Sequence, residues 1–263
     1  MTVRIVLLAV IAAIVNLGAF AQTADADSVM SVSVADADSA ATNRDYRFKP
    51  TQLILPASLL AVGTAGVYWK SFKSMNADIR DGFNDMRGDH YLHADDYLQY
   101  LPAVAYLGLG FTGVKSRYNF KQRLCAVVTA YLSMTAMVGA LKYTIRERRP
   151  DTGRRNSFPS GHTAKAFTAA ELMRIEYGNW WGAGAYAVAT GVAFLRLYNE
   201  RHWFNDVIAG AGIGILSARI GYWMMPVYNR LFHWDSNSKT VVCAAPSYSP
   251  YDKSLSLNMT VLF

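Results

Sequence analysis

Cysteine and charge are both scarce in this sequence. Its 263 residues include two cysteines, Cys125 and Cys243, so at most one internal disulfide could form, and no other feature supports that pairing. Charged residues make up 17% of the chain, and the mean hydropathy is +0.10. This composition is apolar for a soluble enzyme and polar for a protein made mostly of spanning helices. The chain is long enough for one domain of ordinary size.

Acidic residues are fewer than basic ones, 19 against 26, which gives a formal net charge of +7. A positive balance favours anionic lipid surfaces or anionic substrates as partners. Nucleic acid is the competing partner. We do not expect it, because the basic residues concentrate in one motif that begins at Lys142 and in one short connection, 115–123.

The first fifty residues contain two segments that we do not expect to join the fold. Residues 1–21 are typical of a secretory signal, with a positive start at Arg4, an apolar stretch over 5–17 and a small-x-small cleavage site that ends at Ala21. The alternative is an uncleaved anchor, and either one directs the chain to a bacterial cell envelope. Residues 22–50 are rich in Ser, Ala and Asp, which predicts a disordered linker.

Six apolar runs predict an all-α, six-helix bundle over residues 51–233. The runs cover 51–69, 97–114, 124–143, 162–177, 180–198 and 206–225. Most of them approach the roughly 20 residues that span a bilayer. The fourth run carries four charged residues, Lys165, Glu171, Arg174 and Glu176, which are too many for a helix that faces lipid. We expect that helix to be shielded within the bundle or to lie partly outside the bilayer.

Glycines recur in the fifth and sixth runs. They are Gly182, Gly184, Gly191, Gly210, Gly212 and Gly214. Their spacing suits a close approach between helices. The alternative, that small residues are merely common in these runs, explains the sequence equally well.

An anion site is predicted where the third run ends and the fourth begins. Lys142 and Arg149 are two helical turns apart, so we expect them to share a face before Pro150 ends the helix. Ser160 is a good N-cap for the next helix, and Gly161 lets the backbone approach a ligand closely. Free N–H groups and a partial positive charge at a helix N-terminus attract anions. Together these features describe a phosphate site.

A third motif lies downstream. Arg196 precedes His202 and Asp206 in Arg-Leu-Tyr-Asn-Glu-Arg-His-Trp-Phe-Asn-Asp. The spacing of His202 and Asp206 is i, i+4, so we expect them on one helical face. A carboxylate beside an imidazole fixes its tautomer and raises its basicity, which a nucleophilic or basic histidine needs.

An up-and-down bundle would bring the three motifs together. The first motif ends the third helix, the second motif starts the fourth, Arg196 ends the fifth helix, and Asp206 starts the sixth. Antiparallel neighbours place all four of these positions at one end of the bundle. The topology and the motifs therefore predict the same site.

The motifs resemble those of the type 2 phosphatidic acid phosphatase (PAP2) and vanadium haloperoxidase superfamily. Its signature is Lys-x6-Arg-Pro, then Pro-Ser-Gly-His, then Ser-Arg-x5-His-x3-Asp. The chain matches this signature from Lys142 to Asp206, with Leu195 in place of the usual serine. The resemblance implies the six-helix fold of that superfamily. It also implies hydrolysis of a phosphate ester through a phosphohistidine, without a metal or any other cofactor.

The resemblance implies a role for each residue of the signature. His202 would attack phosphorus, and Asp206 would orient it. His162 would protonate the leaving oxygen and then activate water. The groups that would hold the substrate phosphate are Lys142, Arg149, Ser160, Gly161 and Arg196.

The substrate class implied by the resemblance is a phosphate of a membrane lipid. Candidates are a phospholipid (phosphatidate or phosphatidylglycerophosphate), a lipid A phosphate and a polyprenyl pyrophosphate. Three alternatives stay open: a soluble periplasmic acid phosphatase of broad specificity, a vanadate-dependent haloperoxidase, and a catalytically silent envelope protein of the same fold. We favour a site facing the periplasm. If the signal is used and all six runs span, the third helix would instead end in the cytoplasm, whereas the basic connection at 115–123 favours the opposite orientation.

The polar segment 70–96 separates the first two runs and contains a candidate surface helix. Its end carries His90, His93, Asp95 and Asp96, which superficially resemble a metal site. We interpret it instead as a solvated loop that packs beside the active site.

The C-terminal tail, 234–263, has a different periodicity. Apolar residues alternate with polar ones from Leu255 to Phe263, which is typical of a strand. Residues 240–245 could pair with this stretch in a short β-hairpin. The alternatives are an edge structure or a disordered end.

Overall fold

The structure is a computed structural model. It describes residues 46–232 and, in addition, the backbone of 241–249 and 254–262. The predicted signal and nearly all of the predicted linker lie outside these ranges.

Helices dominate the described residues, as predicted. In chain order they are α1 (Ile54–Tyr68), α2 (Lys70–Arg87), α3 (Asp95–Leu98), α4 (Leu101–Gly108), α5 (Phe120–Ile145), α6 (Gly161–Tyr177), α7 (Asn179–Tyr198), α8 (Phe204–Trp223) and α9 (Met225–Phe232). Short 3-10 turns occupy Pro50–Leu53 and Leu109–Phe111. Every predicted run except the second corresponds to one long helix.

The second predicted run is divided. In place of one helix over 97–114, the chain forms α3, α4 and a 3-10 turn. Pro102, near the start of α4, cannot donate a backbone hydrogen bond to the turn before it. Gly110 lies against Arg123, whose guanidinium occupies the place that a Cβ atom would take. These interruptions make the segment too short to cross a bilayer as a single helix.

The centre of the bundle consists of α6 and α8. They pack against each other, α7 covers α6, and α1 and α5 cover α8. Most residues of both central helices are buried. The motif residues at the starts of these two helices are therefore carried on the best packed part of the molecule.

Glycines let α8 approach its neighbours closely. A Cβ atom at Gly210 or Gly214 would lie 2.6 Å from a backbone oxygen of α6 or its N-cap, and one at Gly212 would lie 2.9 Å from α1. Real Cβ atoms do not tolerate such contacts with backbone. Gly184 and Gly191 in α7 differ, because nothing lies within 4 Å of their positions. The predicted close approach is thus confirmed for α8 and wrong for these two glycines.

The charged residues of α6 are paired inside the bundle. Glu171 is completely buried, and its carboxylate accepts hydrogen bonds from Arg174 (2.7 Å) and from Arg219 of α8 (2.7 Å). The Tyr186 hydroxyl of α7 donates to the same carboxylate (2.8 Å). A buried carboxylate between two guanidinium groups is compensated, whereas a lone one would be very costly. The prediction that these charges are shielded within the bundle is confirmed for the three buried ones, whereas Lys165 is only half-buried.

The protein has the helices of a membrane protein. Among the described residues, three stretches are long and apolar enough to cross a bilayer: Pro50–Tyr68, Phe120–Ile145 and Phe204–Phe232. Only 22% of the apolar window is buried in each of the first two, against 72% in the third. The outer faces of α1 and α5 are therefore available to lipid, while α8 is mostly covered by protein.

Exposed aromatic residues lie at both ends of the bundle. Tyr68 and Trp69 at the end of α1, and Tyr143 near the end of α5, are exposed at the end that carries the motifs. Trp180 and Trp181 begin α7 at the opposite end. Aromatic residues are enriched at the two interfaces of a membrane. Their positions support a bundle whose motif-bearing end lies at one interface.

Two strands follow the helices. Strand β1 (Val241–Ser249) pairs antiparallel with β2 (Ser254–Leu262), and the register places Val241 opposite Leu262. β1 extends beyond the predicted 240–245. The residues between the strands lie outside the described part of the chain.

Candidate active site

The ends of four helices meet at one end of the bundle, as predicted. α5 and α7 end there, and α6 and α8 begin there. The N–H of Ser160, which precedes α6, donates to the Asp206 carbonyl in the first turn of α8 (3.0 Å). The charges of Lys142, Arg149, Arg196 and His162 all act on His202. The residues of the three motifs therefore form one cluster.

His202 and Asp206 form a buried pair at the centre of this cluster. Nδ1 of His202 lies 3.1 Å from Oδ2 of Asp206. The same oxygen accepts hydrogen bonds from the Ser157 hydroxyl (2.5 Å) and the Trp203 N–H (3.0 Å). An acceptor beside Nδ1 keeps the ring proton on that atom and leaves the lone pair on Nε2. This is the tautomer that a nucleophilic histidine needs.

The pairing was predicted on a helical face, but His202 precedes the helix. α8 begins only at Phe204, so His202 lies in the loop after α7. The loop is held from outside: Asn84 of α2 donates to Glu200 (3.2 Å), and Arg201 is 3.1 Å from Asp151. These contacts hold the backbone around His202 in place, although it lies outside a helix.

Lys142 and Arg149 meet, but not on one helix as predicted. α5 ends at Ile145, and Arg146 has a left-handed backbone (φ 52°). Beyond that point the backbone of 147–149 is hydrogen-bonded across the loop to 154–157 instead of along a helix. The two cations are joined by one residue, because Nζ of Lys142 donates to the Asn156 carbonyl (2.5 Å) and Nε of Arg149 donates to its side-chain oxygen (2.8 Å).

Arg196 is buried in the last turn of α7. Its Nη1 donates to Oδ2 of Asp95 (2.5 Å), and Asp96 lies 3.8 Å from the same atom. Its Nε is also buried, yet it has no hydrogen-bond partner among the described residues. A buried donor without a partner is costly. The guanidinium thus has donor capacity left for a ligand oxygen.

His162 lies in the first turn of α6 at the mouth of the site, where it is partly exposed. Its Nε2 is 3.1 Å from Oδ1 of Asp96. Burial, and then the charge of Arg196, lower the pKa of His162 to about 4, although the hydrogen bond to Asp96 opposes them. At neutral pH the ligand-free protein therefore holds His162 uncharged.

The nucleophile candidate is held uncharged for the same reasons. Burial, and then the cations Arg196, Arg149 and Lys142, lower the pKa of His202 well below its ordinary value. Only an unprotonated imidazole has a lone pair to attack with. The surplus of positive charge therefore does two things: it attracts an anion and keeps His202 in its reactive form.

Ser160 and Gly161 open α6 as predicted. The Ser160 side chain is the N-cap, and its Oγ accepts from the N–H of Thr163 (3.4 Å) and from the Thr163 hydroxyl (3.0 Å). Ser160 is fully buried, whereas Gly161 is partly exposed at the mouth. The predicted phosphate contacts of both residues remain predictions.

Several residues of this cluster were not predicted from the sequence. Ser157 and Asn205 lie inside or next to the motifs, but their residue types are too common to stand out. Glu147 could have been identified from the sequence, because it is the one acidic residue among the basic residues from Arg146 to Arg149. Its backbone oxygen accepts from the Ser157 N–H (3.0 Å), which ties it to the site.

The predicted loop packs beside the site as expected, but Asp95 and Asp96 begin α3 and Asp95 is buried, so they do not lie in a solvated loop. One ligand atom from each of Asp95, Asp96 and His162 lies within 4.8 Å of the other two, a spacing that could hold a metal ion. His90 and His93 are exposed and do not belong to this group. Arg196 already occupies Asp95, so a cation here would have to compete with a guanidinium. The charge of the site fits an anion better than a metal.

Comparison with known proteins yields consistent matches. The family model described as PAP2 superfamily matches residues 123–230. The lipid A 1-phosphatase of Porphyromonas gingivalis is 35% identical over 187 residues, which cover 68% of this chain and 40% of that protein. YbjG of Escherichia coli K12, provisionally named an undecaprenyl-diphosphatase, is 37% identical over 84 residues, covering 30% of this chain and 42% of that protein.

A solved structure was matched as well. It is the crystal structure of a transmembrane PAP2-type phosphatidylglycerolphosphate phosphatase from Bacillus subtilis, with a TM-score of 0.49 and 18% identity. The match covers 67% of this chain and 96% of that one. The chain spans about two-fifths of the length of the curated relatives it matches. The segment matched by the family model includes every motif residue from Lys142 to Asp206, so the part of the chain that carries the site matches the PAP2 superfamily.

Proposed function

We propose that this protein is a membrane-bound phosphatase that hydrolyses a phosphomonoester, or a pyrophosphate, of a membrane lipid through a phosphohistidine. The observation that carries the proposal is the buried His202–Asp206 pair beside three cations. Phosphoryl transfer depends mainly on positioning and on stabilising negative charge. A neutral imidazole surrounded by Lys142, Arg149 and Arg196 provides both.

In the first step, Nε2 of His202 attacks phosphorus, and the bond from phosphorus to the lipid oxygen breaks. The Nδ1 proton stays between His202 and Asp206, whose carboxylate stabilises the ring as it becomes cationic. His162 gives its proton to the leaving oxygen. The product is phosphohistidine at position 202 and a free lipid hydroxyl, or a lipid phosphate when the substrate is a pyrophosphate.

In the second step, water attacks the phosphohistidine. The now neutral His162 takes a proton from that water, the bond between phosphorus and nitrogen breaks, and inorganic phosphate leaves. The cations Lys142, Arg149 and Arg196 hold the phosphoryl oxygens throughout, together with the Ser160 hydroxyl and the Gly161 N–H. Arg196 is suited to this, since its Nε is free of partners among the described residues.

The low pKa of His162 does not conflict with its role as an acid. Its proton affinity is reduced by burial and by Arg196 in the ligand-free protein. A bound phosphate adds negative charge next to the ring and offsets those cations, which raises the pKa of His162 when the proton is needed. Substrate binding therefore favours the protonated form of His162, the general acid.

The membrane helices support a lipid substrate. The relatives are named for lipid A, for undecaprenyl diphosphate and for phosphatidylglycerolphosphate. All three are anionic phosphates on a lipid anchor. We propose a substrate of this class for the present protein, presented from the bilayer to the end of the bundle that Tyr68 and Tyr143 border.

We further propose that the catalytic unit is the six-helix bundle of the superfamily, formed here by α1 and α4 to α8. The β1–β2 pair would be an appended hairpin outside that unit. We also propose a site that faces the periplasm, which is supported by the basic connection at 115–123, since basic loops prefer the cytoplasmic side and the motifs lie at the opposite end of α5. We make no proposal for the oligomeric state.

The experiment is an assay of detergent-purified protein against phosphatidate, phosphatidylglycerophosphate, lipid A, a polyprenyl pyrophosphate and a water-soluble phosphomonoester. Release of phosphate from at least one lipid, unaffected by chelator and inhibited by vanadate, is the expected result. Activity lost in chelator and restored by magnesium would contradict a metal-free mechanism. Activity on the soluble ester alone would favour an acid phosphatase. Vanadate-dependent oxidation of bromide by peroxide would favour a haloperoxidase.

A further inference from the structure

We propose that Glu147 is a positioning residue for the nucleophile: its carboxyl group is protonated and donates a hydrogen bond to Asp206, the carboxylate that orients His202. The catalytic meaning of this inference rests on the proposed function. The presence of the proton does not, and it can be tested separately.

One amide brings the two carboxyl groups together. Nδ2 of Asn205 lies 3.1 Å from Oε2 of Glu147 and 3.5 Å from Oδ1 of Asp206. The orientation of that amide is fixed, because its oxygen accepts a hydrogen bond from Nδ2 of Asn76 in α2 (2.8 Å). The NH2 group of Asn205 therefore faces both carboxyl groups, which are close enough to interact with each other.

Asp206 is fully buried and Glu147 is half-buried, and two carboxyl groups so close together do not readily both ionise, since like charges repel strongly there. The hydrogen bonds indicate which one keeps the proton. Oδ2 of Asp206 accepts from three donors, the Ser157 hydroxyl, the Trp203 N–H and the ring of His202. Glu147 is left with the amide of Asn205. The carboxylate stabilised by more hydrogen bonds is Asp206, so the proton resides on Glu147.

The electrostatic environment agrees with this assignment. Burial, followed by the charge of Asp206 and the hydrogen bond to it, raises the pKa of Glu147 to about 8. The hydrogen bond from Asn205 and the charge of Lys73 on α2 oppose this rise. Two other titratable groups of the site contact or act on Asp206: His202 by its hydrogen bond and Lys142 by its charge.

The proton on Glu147 matters for the attack by His202. While it is present, the second oxygen of Asp206 is held by a neutral donor, and the carboxylate carries a single charge opposite Nδ1. When it is lost, the hydrogen bond is replaced by repulsion between two carboxylates. Asp206 is then pushed from the position that aligns His202. Turnover should therefore fall as the pH rises through the pKa of Glu147.

The kinetic test compares wild type with Glu147→Gln and Glu147→Ala. Gln keeps a neutral donor of similar size but cannot ionise, so we expect kcat within about threefold of wild type at neutral pH and an alkaline fall that is smaller than that of wild type. Ala removes the donor and should lose at least about tenfold in kcat with little change in KM. An alkaline fall in Glu147→Gln identical to that of wild type overturns the proposal. So does a wild-type profile without any such fall.

A surface variant supplements the kinetic test if Glu147→Gln does not fold. Lys73 is exposed and donates no hydrogen bond to Glu147, but its charge favours the ionised form of that residue. Lys73→Gln should therefore move the alkaline fall to higher pH, by a few tenths of a unit for a screened surface charge. A shift to lower pH, or none, counts against Glu147 as the titrating group.

Infrared spectroscopy tests the proton without any turnover. In the difference spectrum between about pH 7 and pH 10, wild type should lose the C=O stretch of a protonated carboxyl group, and Glu147→Gln should lack that band. If no lipid phosphate is hydrolysed, the proposed function fails, yet the band still shows whether Glu147 carries the proton. If phosphate is released but the band is absent or unchanged in Glu147→Gln, the proposed function stands and this inference fails.

Discussion

Asp95 and Arg196 form a buried ion pair across the mouth of the site, with 2.5 Å between Oδ2 and Nη1. They are 101 residues apart in sequence. Asn199, one turn after Arg196, holds the same segment by hydrogen bonds to Leu92 and Asp95. The guanidinium assigned to the substrate phosphate is therefore oriented by a part of the chain that none of the motifs includes.

The ion pair leads to the first prediction. Asp95→Asn keeps the shape of the side chain but leaves Arg196 without its counter-charge, so the guanidinium loses its fixed orientation. We expect kcat/KM to fall about tenfold to a hundredfold, since one misplaced phosphate-binding group costs roughly 1.4–3 kcal/mol. The measurement is steady-state hydrolysis of the best lipid substrate. Asp89→Asn, an exposed acid just before this segment, is the matched control and should behave as wild type.

The second prediction concerns the nucleophile. His202→Ala removes the attacking nitrogen and should abolish turnover without forming a phosphoenzyme, whereas wild type quenched under alkaline conditions should retain labelled phosphate on histidine. His93→Ala replaces an exposed histidine and is the control. Residual activity above a few per cent of wild type in His202→Ala would rule out His202 as the nucleophile.

The third prediction is a pH dependence of stability. Both site histidines have a folded pKa below the ordinary value of 6.5, and that of His162 falls to about 4. Between these limits the unfolded chain binds more protons than the folded one. Stability is therefore present above pH 6.5 and is lost as the pH falls, by up to about 1.4 kcal/mol per pH unit for each histidine.

The measurement for this prediction is the apparent Tm in detergent at neutral pH and near pH 5. Wild type should lose more stability on acidification than His202→Asn, which has no imidazole to charge. Adding vanadate or phosphate should reduce the loss, because an anion favours protonated histidine. Equal losses in wild type and His202→Asn would show that His202 is not held neutral in the folded state.

The fourth prediction compares two glycines within helices. A Cβ atom at Gly214 would lie 2.6 Å from the Ala164 carbonyl oxygen, so Gly214→Ala must push α8 away from α6. We expect a loss of about 1–3 kcal/mol in the free energy of unfolding. Gly184→Ala in α7 meets nothing within 4 Å and should be neutral or stabilising by up to about 1 kcal/mol. Thermal unfolding in one detergent compares the pair, and similar effects of both changes would contradict the close packing of α8.

The fifth prediction concerns the membrane. The protein should remain in the membrane fraction after a high-salt wash and should require detergent for release. Surface charges are screened in salt, with a Debye length of about 3 Å at 1 M, whereas helices in hydrocarbon are unaffected. The outward faces of α1 and α5 are the reason for this expectation. Recovery in the soluble periplasmic fraction would point to the acid phosphatase alternative.

The sequence predicted the helices well wherever the chain is locally consistent. The polar stretch that contains Pro150 and the N-cap Ser160 separates two long apolar runs, and these local signals suffice to distinguish α5 from α6. The prediction of one helix for the second run was wrong, because its apolar composition does not reveal that Gly110 must accommodate Arg123 from another helix. The end of α5 was also placed too late, since the hydrogen bonds that compete with the helix come from residues 154–157 across the loop.

The sequence by itself determined the chemistry of the site, because three spaced motifs carry the histidines, Asp206 and the cations, and antiparallel helices have to bring them to one end. The tertiary structure alone decided what surrounds them. Asp95 and Asp96 face Arg196 and His162, and Glu147 lies beside Asp206. These contacts depend on how separate segments pack, and a pKa depends on burial and on every nearby charge. Neither the contacts between distant segments nor the pKa values can be read from a short stretch of sequence.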